Sequence, residues 1–253
     1  MPLASIEQAI EAYARGEFLV VVDDEDRENE GDLIIAADAM TPEKMNFMIR
    51  HTSGVICAPM SDERADQLDL SLMVVENTES MRTAFTVSVD VIEGTSTGIS
   101  ASDRSATVAA LANPDQIGTD FARPGHIFPL RARKGGVLKR AGHTEAAVDL
   151  CSMSGRSSVG VLCEIVNEDG TMARVPDLEK FATEHNLLFI TIADLIRYRR
   201  RNEKLVEHFG EARIPTRHGE FSAHAYRSVL DEIEHVAYVL GDISTVKDPL
   251  VRV

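Results

Sequence analysis

The sequence predicts an α+β fold in which a mixed β-sheet is covered by helices. Short apolar segments rich in β-branched residues, typical of strands, alternate with amphipathic segments typical of helices. The alternation lacks the strict strand–helix–strand rhythm of a wholly parallel sheet, which favours a mixed one. Hydrophobic residues make up 44% of the 253 residues, so a sizeable core is available without disulfides.

Capping and stop residues place the elements of the first half. Ser5, a typical N-cap, precedes apolar residues at helical spacing, and Gly16 ends this first helix. Thr41-Pro42-Glu43 opens a second helix. The elements predicted next to these are strands over 18–22, 33–37, 55–58 and 84–91 and a short helix over 62–68.

In the second half, Ser102-Asp103-Arg104-Ser105 is a capping pattern before a helix, and Gly142-His143-Thr144 begins another. A strand over 159–166 and helices over 176–185 and 192–199 complete the predicted elements. At 197–201 the run Arg-Tyr-Arg-Arg-Arg closes the last helix, and hydrophobic periodicity is then lost. We therefore predict two domains, over residues 1–205 and 206–253.

The charge balance limits the possible partners. With 26 basic and 41 acidic residues the net charge is −15, which repels nucleic acid and anionic membranes. A phosphorylated substrate would have to be held locally, by arginines and backbone N–H groups. The sequence has no secretory signal, no membrane-spanning run and only three cysteines, without a CxxC pair, so we expect a cytoplasmic protein.

The segment 23–32, called the acidic loop below, holds seven carboxylates between two predicted strands. Four of them lie two residues apart: Asp26, Glu28, Glu30 and Asp32. On an extended backbone they would share one side, which costs free energy unless a cation neutralises them. A solvated charge run is the alternative interpretation. A calcium EF-hand is excluded, because the pattern places Ala37 where its bidentate Glu is required.

The second candidate cluster is Arg140-Ala141-Gly142-His143-Thr144. A helix N-terminus with free N–H groups suits a phosphate, and Arg140 and Thr144 would add donors. The alternative is a simple Thr cap beside a surface Arg. His143 is either structural or a metal ligand, and one His among carboxylates favours Mg²⁺ or Mn²⁺ over zinc.

Two single residues are candidate proton carriers. Glu164 lies in a predicted strand whose faces are both apolar, and a carboxylate in such a setting suits acid–base work. A buried Glu paired with an Arg is the alternative. His126 lies between Pro124 and Pro129, which stiffen the backbone, although loop histidines are often merely exposed. No nucleotide-binding or dinucleotide-binding motif is present, which argues against an organic cofactor.

Four segments in order, 23–32, 100–104, 123–130 and 140–146, together resemble the 3,4-dihydroxy-2-butanone 4-phosphate synthase family over about residues 3–200. The resemblance implies a three-layer α+β fold with a mixed twisted sheet flanked by helices. It also implies a homodimer with its site at the subunit interface. The implied reaction converts the sugar phosphate D-ribulose 5-phosphate to L-3,4-dihydroxy-2-butanone 4-phosphate and formate, a step of riboflavin biosynthesis.

The resemblance also implies roles for individual residues. Glu28 and His143 would hold Mg²⁺ (or Mn²⁺), and His126 and Glu164 would be catalytic. The substrate-binding residues would be Arg27, Glu28, Asp32, Arg140, Ala141, Gly142, His143, Thr144 and Glu164. A non-enzymatic, acidic metal-binding protein is the competing interpretation, but it would need neither Arg140 nor Thr144.

The segments 214–221, 234–237 and 250–253 resemble the opening of GTP cyclohydrolase II. The resemblance implies a fusion protein that ends before its second active site, whose three zinc-binding cysteines would lie beyond Val253. Cys57, Cys151 and Cys163 cannot replace them, so we expect no stoichiometric zinc and no bifunctional enzyme. Residues 206–253 are few for a core, and we expect them to be flexible or to lean on the first domain.

Overall fold

The computed structural model of the chain describes residues 3–252. Within them, helices α1 to α7 are Ile6–Ala14, Pro42–His51, Asp62–Gln67, Ala101–Ala112, His143–Met153, Val175–Glu184 and Ile192–Asn202. Strands β1 to β10 are Leu19–Val22, Gly31–Ala36, Cys57–Met60, Val89–Val91, Phe121–Arg131, Gly160–Glu164, Leu188–Thr191, Val206–Thr216, Gly219–Ser228 and Glu234–Leu240. None of the helices in this described part is long and apolar enough to cross a membrane.

The predicted helix starts follow from local capping. The Ser5 hydroxyl accepts from the Gln8 N–H, and the Gln8 side chain accepts from the Ser5 N–H, which forms a capping box at α1. The N-cap of helix α4 lies two residues before the predicted one, because Ser100 and not Ser102 caps the helix and accepts from the Asp103 N–H at 3.0 Å.

Strands β1 to β7 form one sheet in the order β4-β5-β3-β6-β2-β1-β7. Strand β1 pairs in parallel with β7, and β3 pairs in parallel with β5. The other neighbouring pairs are antiparallel. The predicted mixed sheet is therefore confirmed.

Helices cover both faces of this sheet. In β1 the alternate residues Leu19 and Val21 pack with α1, α5 and α7, whereas Val20 and Val22 belong to the core formed with α2, α4 and α6. All four side chains are buried, as expected for a strand covered on both faces. The arrangement has three layers, which confirms the α+β fold expected from the resemblance.

Strand β5 is the main element that the sequence did not predict. Its eleven residues include Pro124 and Pro129, which normally argue against an inner strand. Gly125 allows the close approach to β4, because a Cβ there would lie 2.0 Å from the Val89 carbonyl carbon. The predicted strand over 84–91 is shorter in the structure, only Val89–Val91.

Two compact units divide the chain between Arg199 and Arg200. The second unit contains a three-stranded antiparallel sheet in the order β10-β9-β8. Of the two alternatives predicted for residues 206–253, a flexible segment is wrong, since the unit forms regular strands. Packing of this segment on the first domain stays a prediction. Hydrophobic periodicity gave no signal because most residues of these strands are exposed on both faces.

Candidate active site

The acidic loop joins β1 to β2 and forms a turn around Asp23. One Asp23 oxygen accepts from Arg27 at 2.8 Å and from the Glu28 N–H at 3.1 Å, and the other accepts from the Glu30 N–H at 3.0 Å. Asn29 has a positive φ of 54°, a conformation that Asn tolerates better than most residues. The loop is therefore a turn, and the extended backbone that we expected here is wrong.

His143, the first residue of α5, lies beneath this loop and is buried. Its Nε2 lies 3.1 Å from the Val21 carbonyl oxygen, which can only accept, so Nε2 carries a hydrogen. Its Nδ1 faces Glu28 Oε2 at 3.7 Å and Asp32 Oδ2 at 3.9 Å. In the neutral ring, Nδ1 is consequently a free electron-pair donor aimed at two carboxylates.

The charges of this cluster shift each other's pKa values. His143 and Arg27 lower the pKa of Glu28 to about 2. Burial raises the pKa of Asp32 to about 7, with further contributions from Glu164 and Glu28. Burial alone would lower the pKa of His143, but Asp32, Glu28 and Asp23 together raise it to about 9.

Asp32 is the clearest sign that a positive group belongs here. Its carboxylate is almost fully buried, and its Oδ1 makes no hydrogen bond within the described residues. Such an orphaned oxygen costs free energy unless a ligand satisfies it. Together with Glu28 and His143 Nδ1, the donor set of carboxylate oxygens and one imidazole fits a hard dication such as Mg²⁺ or Mn²⁺.

Glu164 lies at the end of β6, directly opposite Asp32 of β2 in the sheet register. Its Oε2 accepts from the Ser53 hydroxyl at 2.6 Å, and its carbonyl accepts from the Ser53 N–H at 2.8 Å. Glu164 is half-buried, whereas we expected an apolar setting on both sides of it. The difference arises because the strand ends here, at the edge of the cleft described next.

A cleft of about 270 Å³ brings the two predicted clusters together. Its lining residues are Arg27, Glu28, Glu30, Asp32, Cys57, Glu79, Thr83, Phe85, Leu130, Arg140, His143, Thr144, Leu162 and Glu164. Ala141, Gly142 and His126 are the predicted site residues outside this set. The cleft therefore combines acidic groups with Arg140 and the start of α5.

The start of α5 is open to an anion. Gly142 is its N-cap and supplies no side-chain cap, so the first N–H groups of the helix remain available. The residue must be small, because a Cβ on Gly142 would lie 2.5 Å from an Arg140 nitrogen. Arg140 donates to Glu145 at 2.7 Å and to the Thr83 hydroxyl at 2.9 Å, which fixes its guanidinium beside the cleft.

His126 is not part of the cleft in one chain. It lies on β5, with its ring 40% exposed and its Nδ1 2.7 Å from Asp90 Oδ2. Its backbone N–H donates to Asp90 Oδ1 at 2.9 Å. The carboxylate holds the Nδ1 hydrogen of a neutral ring, which leaves Nε2 free as a proton acceptor.

Several residues in or next to the cleft were missed by the sequence analysis. Ser53, which holds Glu164, and Thr83 and Glu79, which line the cleft, lie in irregular connections. Glu79 accepts from the Met81 and Thr83 N–H groups, so it shapes the turn that carries Thr83. Such loop residues have no periodic pattern, and only the family resemblance could have pointed to their segment.

Comparison with known proteins gives the family. Residues 7–198 match the family model of 3,4-dihydroxy-2-butanone 4-phosphate synthase, and residues 207–253 match that of GTP cyclohydrolase II. The chain is 58% identical to the riboflavin biosynthesis protein RibBA of Salinispora arenicola over 98% of its own length and 59% of that protein. It is 59% identical to the monofunctional riboflavin biosynthesis protein RIBA 2, chloroplastic, of Arabidopsis thaliana, over 99% of its own length and 53% of that protein. The chain thus spans between half and two thirds of the length of these two relatives.

Solved structures agree. RibBX, a two-domain 3,4-dihydroxy-2-butanone 4-phosphate synthase from A. baumannii, superposes with a TM-score of 0.86 at 45% identity, covering 96% of this chain and 71% of that one. A 3,4-dihydroxy-2-butanone 4-phosphate synthase in complex with two magnesium ions superposes with a TM-score of 0.77 at 46% identity, covering 79% of this chain and 98% of that one. The chain belongs to the 3,4-dihydroxy-2-butanone 4-phosphate synthase family.

Proposed function

We propose that the chain converts D-ribulose 5-phosphate to L-3,4-dihydroxy-2-butanone 4-phosphate and formate. The observation that carries this proposal is the cleft itself, which brings a cation-binding group of Glu28, Asp32 and His143 together with Arg140 and the open start of α5. A bound cation suits the hydroxyls and carbonyl of a sugar, and Arg140 with the helix start suits its phosphate. Family membership and the riboflavin biosynthesis relatives support this substrate.

Different residues of the cleft bind the phosphate and the metal ion. Arg140, Thr144 and the N–H groups at the start of α5, after Ala141 and Gly142, bind the phosphate and fix the orientation of the sugar. Glu28 and His143 hold Mg²⁺ or Mn²⁺, which when bound stabilises negative charge on the substrate oxygens. The magnesium-bound family structure supports this choice of ion. Asp23 does not compete for the ion, since its oxygens accept from Arg27 and two backbone N–H groups.

Proton transfer falls to the carboxylates and His126. The reaction begins with removal of a proton next to the substrate carbonyl, and Asp32 and Glu164 line the cleft beside the metal-binding group. In the metal-free cleft burial raises the pKa of Asp32 to about 7. A dication bound beside it would lower that pKa and keep the carboxylate ionised, as a proton acceptor must be. Arg27 and Glu164 contact the sugar hydroxyls. Loss of one substrate hydroxyl as water, a carbon shift and re-addition of one water then release formate, so that no net water is consumed.

A formate assay with matched variants tests this function. We expect the chain to release formate from ribulose 5-phosphate with Mg²⁺ and to stop in excess EDTA. Glu28→Gln should weaken Mg²⁺ binding, because a neutral amide is a poorer ligand for a hard dication. Glu25→Gln, an exposed acid of the same loop, is the control and should leave activity unchanged. Formate release that survives EDTA would contradict the metal assignment.

We further propose that two copies of the chain form a homodimer, with His126 of one copy completing the site of the other. His126 lies outside the cleft of its own chain, and Ile92 and Ile99, in the segment that follows β4, are 59% and 53% exposed. Exposed apolar side chains near a candidate catalytic group are typical of a contact surface. Sedimentation of the purified chain tests the dimer.

The domain assignment, 1–205 and 206–253, is also a proposal. It is supported by the division of the chain between Arg199 and Arg200 and by the separate family matches. We expect a chain ended after Leu205 to keep its formate release from ribulose 5-phosphate, and a large loss would contradict this boundary.

A cytoplasmic location is proposed from the net charge and the lack of a predicted secretory signal alone, and cell fractionation tests it.

A further inference from the structure

The second unit carries a group of potential metal ligands that the proposed synthase function does not use. His208 and Glu211 of β8 and His224 of β9 each offer one ligand atom, and these three atoms lie within 4.8 Å of one another. Two imidazoles and one carboxylate form a donor set different from that of the cleft. The group lies on an antiparallel pair of strands, so the backbone that holds it is hydrogen-bonded along its length.

A β-bulge creates this group. On a regular strand His208 and Glu211, three residues apart, would point to opposite faces. The register of β8 shifts between His208 and Gly210, so that His208 pairs with Tyr226 and Glu211 pairs with His224. Tyr226 and His224 are two apart on β9 and share a face, and cross-strand partners share it too. The bulge therefore turns both β8 side chains toward His224.

The ligand atoms are open to an ion. His224 Nδ1 and Glu211 Oε2 are 3.8 Å apart, too far for a hydrogen bond, and no side-chain hydrogen bond within residues 3–252 engages any of the three side chains. The His208 ring packs between its neighbours, with centroid distances of 5.7 Å to His224 and 5.2 Å to Tyr226. The rings therefore pack against each other, while His208 and Glu211 remain exposed.

We propose that His208, Glu211 and His224 bind one Zn²⁺ ion. The ion would link strand β8 to strand β9. Two His and one Glu are an established zinc donor set. A majority of imidazole ligands favours Zn²⁺ over Mg²⁺ and Ca²⁺, whose sites are dominated by oxygen ligands. Ligand atoms around tetrahedral zinc lie about 3.3–3.5 Å apart, so small side-chain rotations close the site. Water fills the remaining coordination position.

This site is independent of the cleft and of cysteine. It revises our expectation that the chain binds no stoichiometric zinc, which rested only on the missing cysteine ligands. The site could not be predicted from the sequence, because His208 and Glu211 are three residues apart and would lie on opposite faces of a regular strand. Zinc that binds the folded second unit, and not its unfolded state, raises the free energy of unfolding. The increase grows with the logarithm of the zinc concentration.

Calorimetric titration of the full, metal-stripped chain with Zn²⁺ tests the proposal. All proteins carry Glu28→Gln, which weakens metal binding in the cleft, and any zinc still bound there is unaffected by changes at His208 or His224. We expect one zinc per chain, with affinity about tenfold lower or worse in His208→Ala and His224→Ala. His235→Ala is the matched control, since His235 lies opposite Tyr226 on the same sheet and outside the group. Co²⁺ should give the absorption bands of a tetrahedral site, and lose them in the same variants.

Glu211→Gln separates ligand loss from misfolding, because it keeps the shape of the side chain and removes its charge. Weaker zinc binding in this variant, with an unchanged circular dichroism spectrum, would support the site. Zinc binding that is unchanged in Glu211→Gln, His208→Ala and His224→Ala would overturn it. Absence of zinc binding by the parent chain would also overturn it.

Discussion

The hydroxyl of Ser53 orients the carboxylate of Glu164 at the edge of the cleft, with a donor–acceptor distance of 2.6 Å. We predict that Ser53→Ala lowers kcat for formate release about tenfold with little change in KM, because an untethered carboxylate is less often aligned with the substrate. Ser53→Thr keeps the hydroxyl and should recover most of kcat. Steady-state assays at saturating Mg²⁺ measure both constants.

The control for this prediction is Ser152→Ala, which removes an exposed hydroxyl from α5. Its kcat should equal that of the parent. If Ser53→Ala also kept its kcat, Ser53 would hold the strand ends together without orienting Glu164 for catalysis.

His143 should couple metal binding to pH. The surrounding carboxylates raise its pKa to about 9, so below that pH the metal-free ring carries a proton that the ion must displace from Nδ1. We predict that the apparent Mg²⁺ affinity rises with pH between 7 and about 9, by at most about tenfold per unit, and then levels off. Calorimetry in buffers of different ionisation enthalpy counts the released proton.

His218→Gln is the matched control, since it removes an exposed histidine of the second unit and should leave this pH dependence unchanged. A Mg²⁺ affinity of the parent chain that does not change between pH 7 and 9 would show that His143 is not a ligand.

The residue types of this site could be predicted from the sequence, but their arrangement in space could not. The density of acids around Glu28 indicated a cation, and the pattern at Arg140 and Thr144 indicated an anion. Their meeting in one cleft depends on the turn around Asp23 and on the sheet register that pairs Asp32 with Glu164. Neither is a local property of the chain, because both depend on contacts between distant segments.

Between α2 and α6, aromatic rings and histidines pack against each other. The ring centroids of His51 and His185 are 4.8 Å apart, and Phe47 lies 4.6 Å from His51. Burial, His185 and Arg50 lower the pKa of His51. Because the folded state binds this proton less well than the unfolded state, stability is lost as the pH falls below about 6.5.

We therefore predict that the thermal midpoint decreases less steeply below pH 6.5 in His51→Gln than in the parent chain. Thermal unfolding followed by circular dichroism between pH 5 and 8 gives the midpoints of both proteins. Subtracting the two midpoints at each pH cancels the contribution of the carboxylates, which both proteins share. His218→Gln, in the exposed turn between β8 and β9, should melt like the parent at each pH. Equal slopes for parent and His51→Gln would contradict the proposed proton linkage.

At the level of secondary-structure elements, the sequence predicts correctly the helices whose ends are determined by nearby capping residues. Ser5 and Thr41 cap α1 and α2 as their sequences indicate. Strand β5 has prolines and a glycine that disfavour a strand locally, yet it lies between β4 and β3, where long-range pairing determines the structure. The strands of the second unit are exposed and lack hydrophobic periodicity, so their pairing, too, was not visible in the sequence.

For the whole molecule, the proposed sharing of His126 between two copies leads to a mixing experiment. His126→Ala and Glu28→Gln should each be nearly inactive as homodimers. If His126 serves the partner's cleft, a mixed dimer holds one site with both changes and one site with neither. Random exchange in an equal mixture makes about half of the dimers mixed, so about a quarter of the parent activity should return.

The gain should develop at the rate of subunit exchange, and it should be absent when the second protein is a double variant, His126→Ala with Glu28→Gln. That control can form mixed dimers with either single variant, yet it supplies no intact site, because every possible cleft then lacks Glu28 or His126. If two single variants exchange subunits and regain no activity, His126 must act within its own chain. His126 would then have to reach the cleft by a movement of β5, and the exposed side chains of Ile92 and Ile99 would need another explanation.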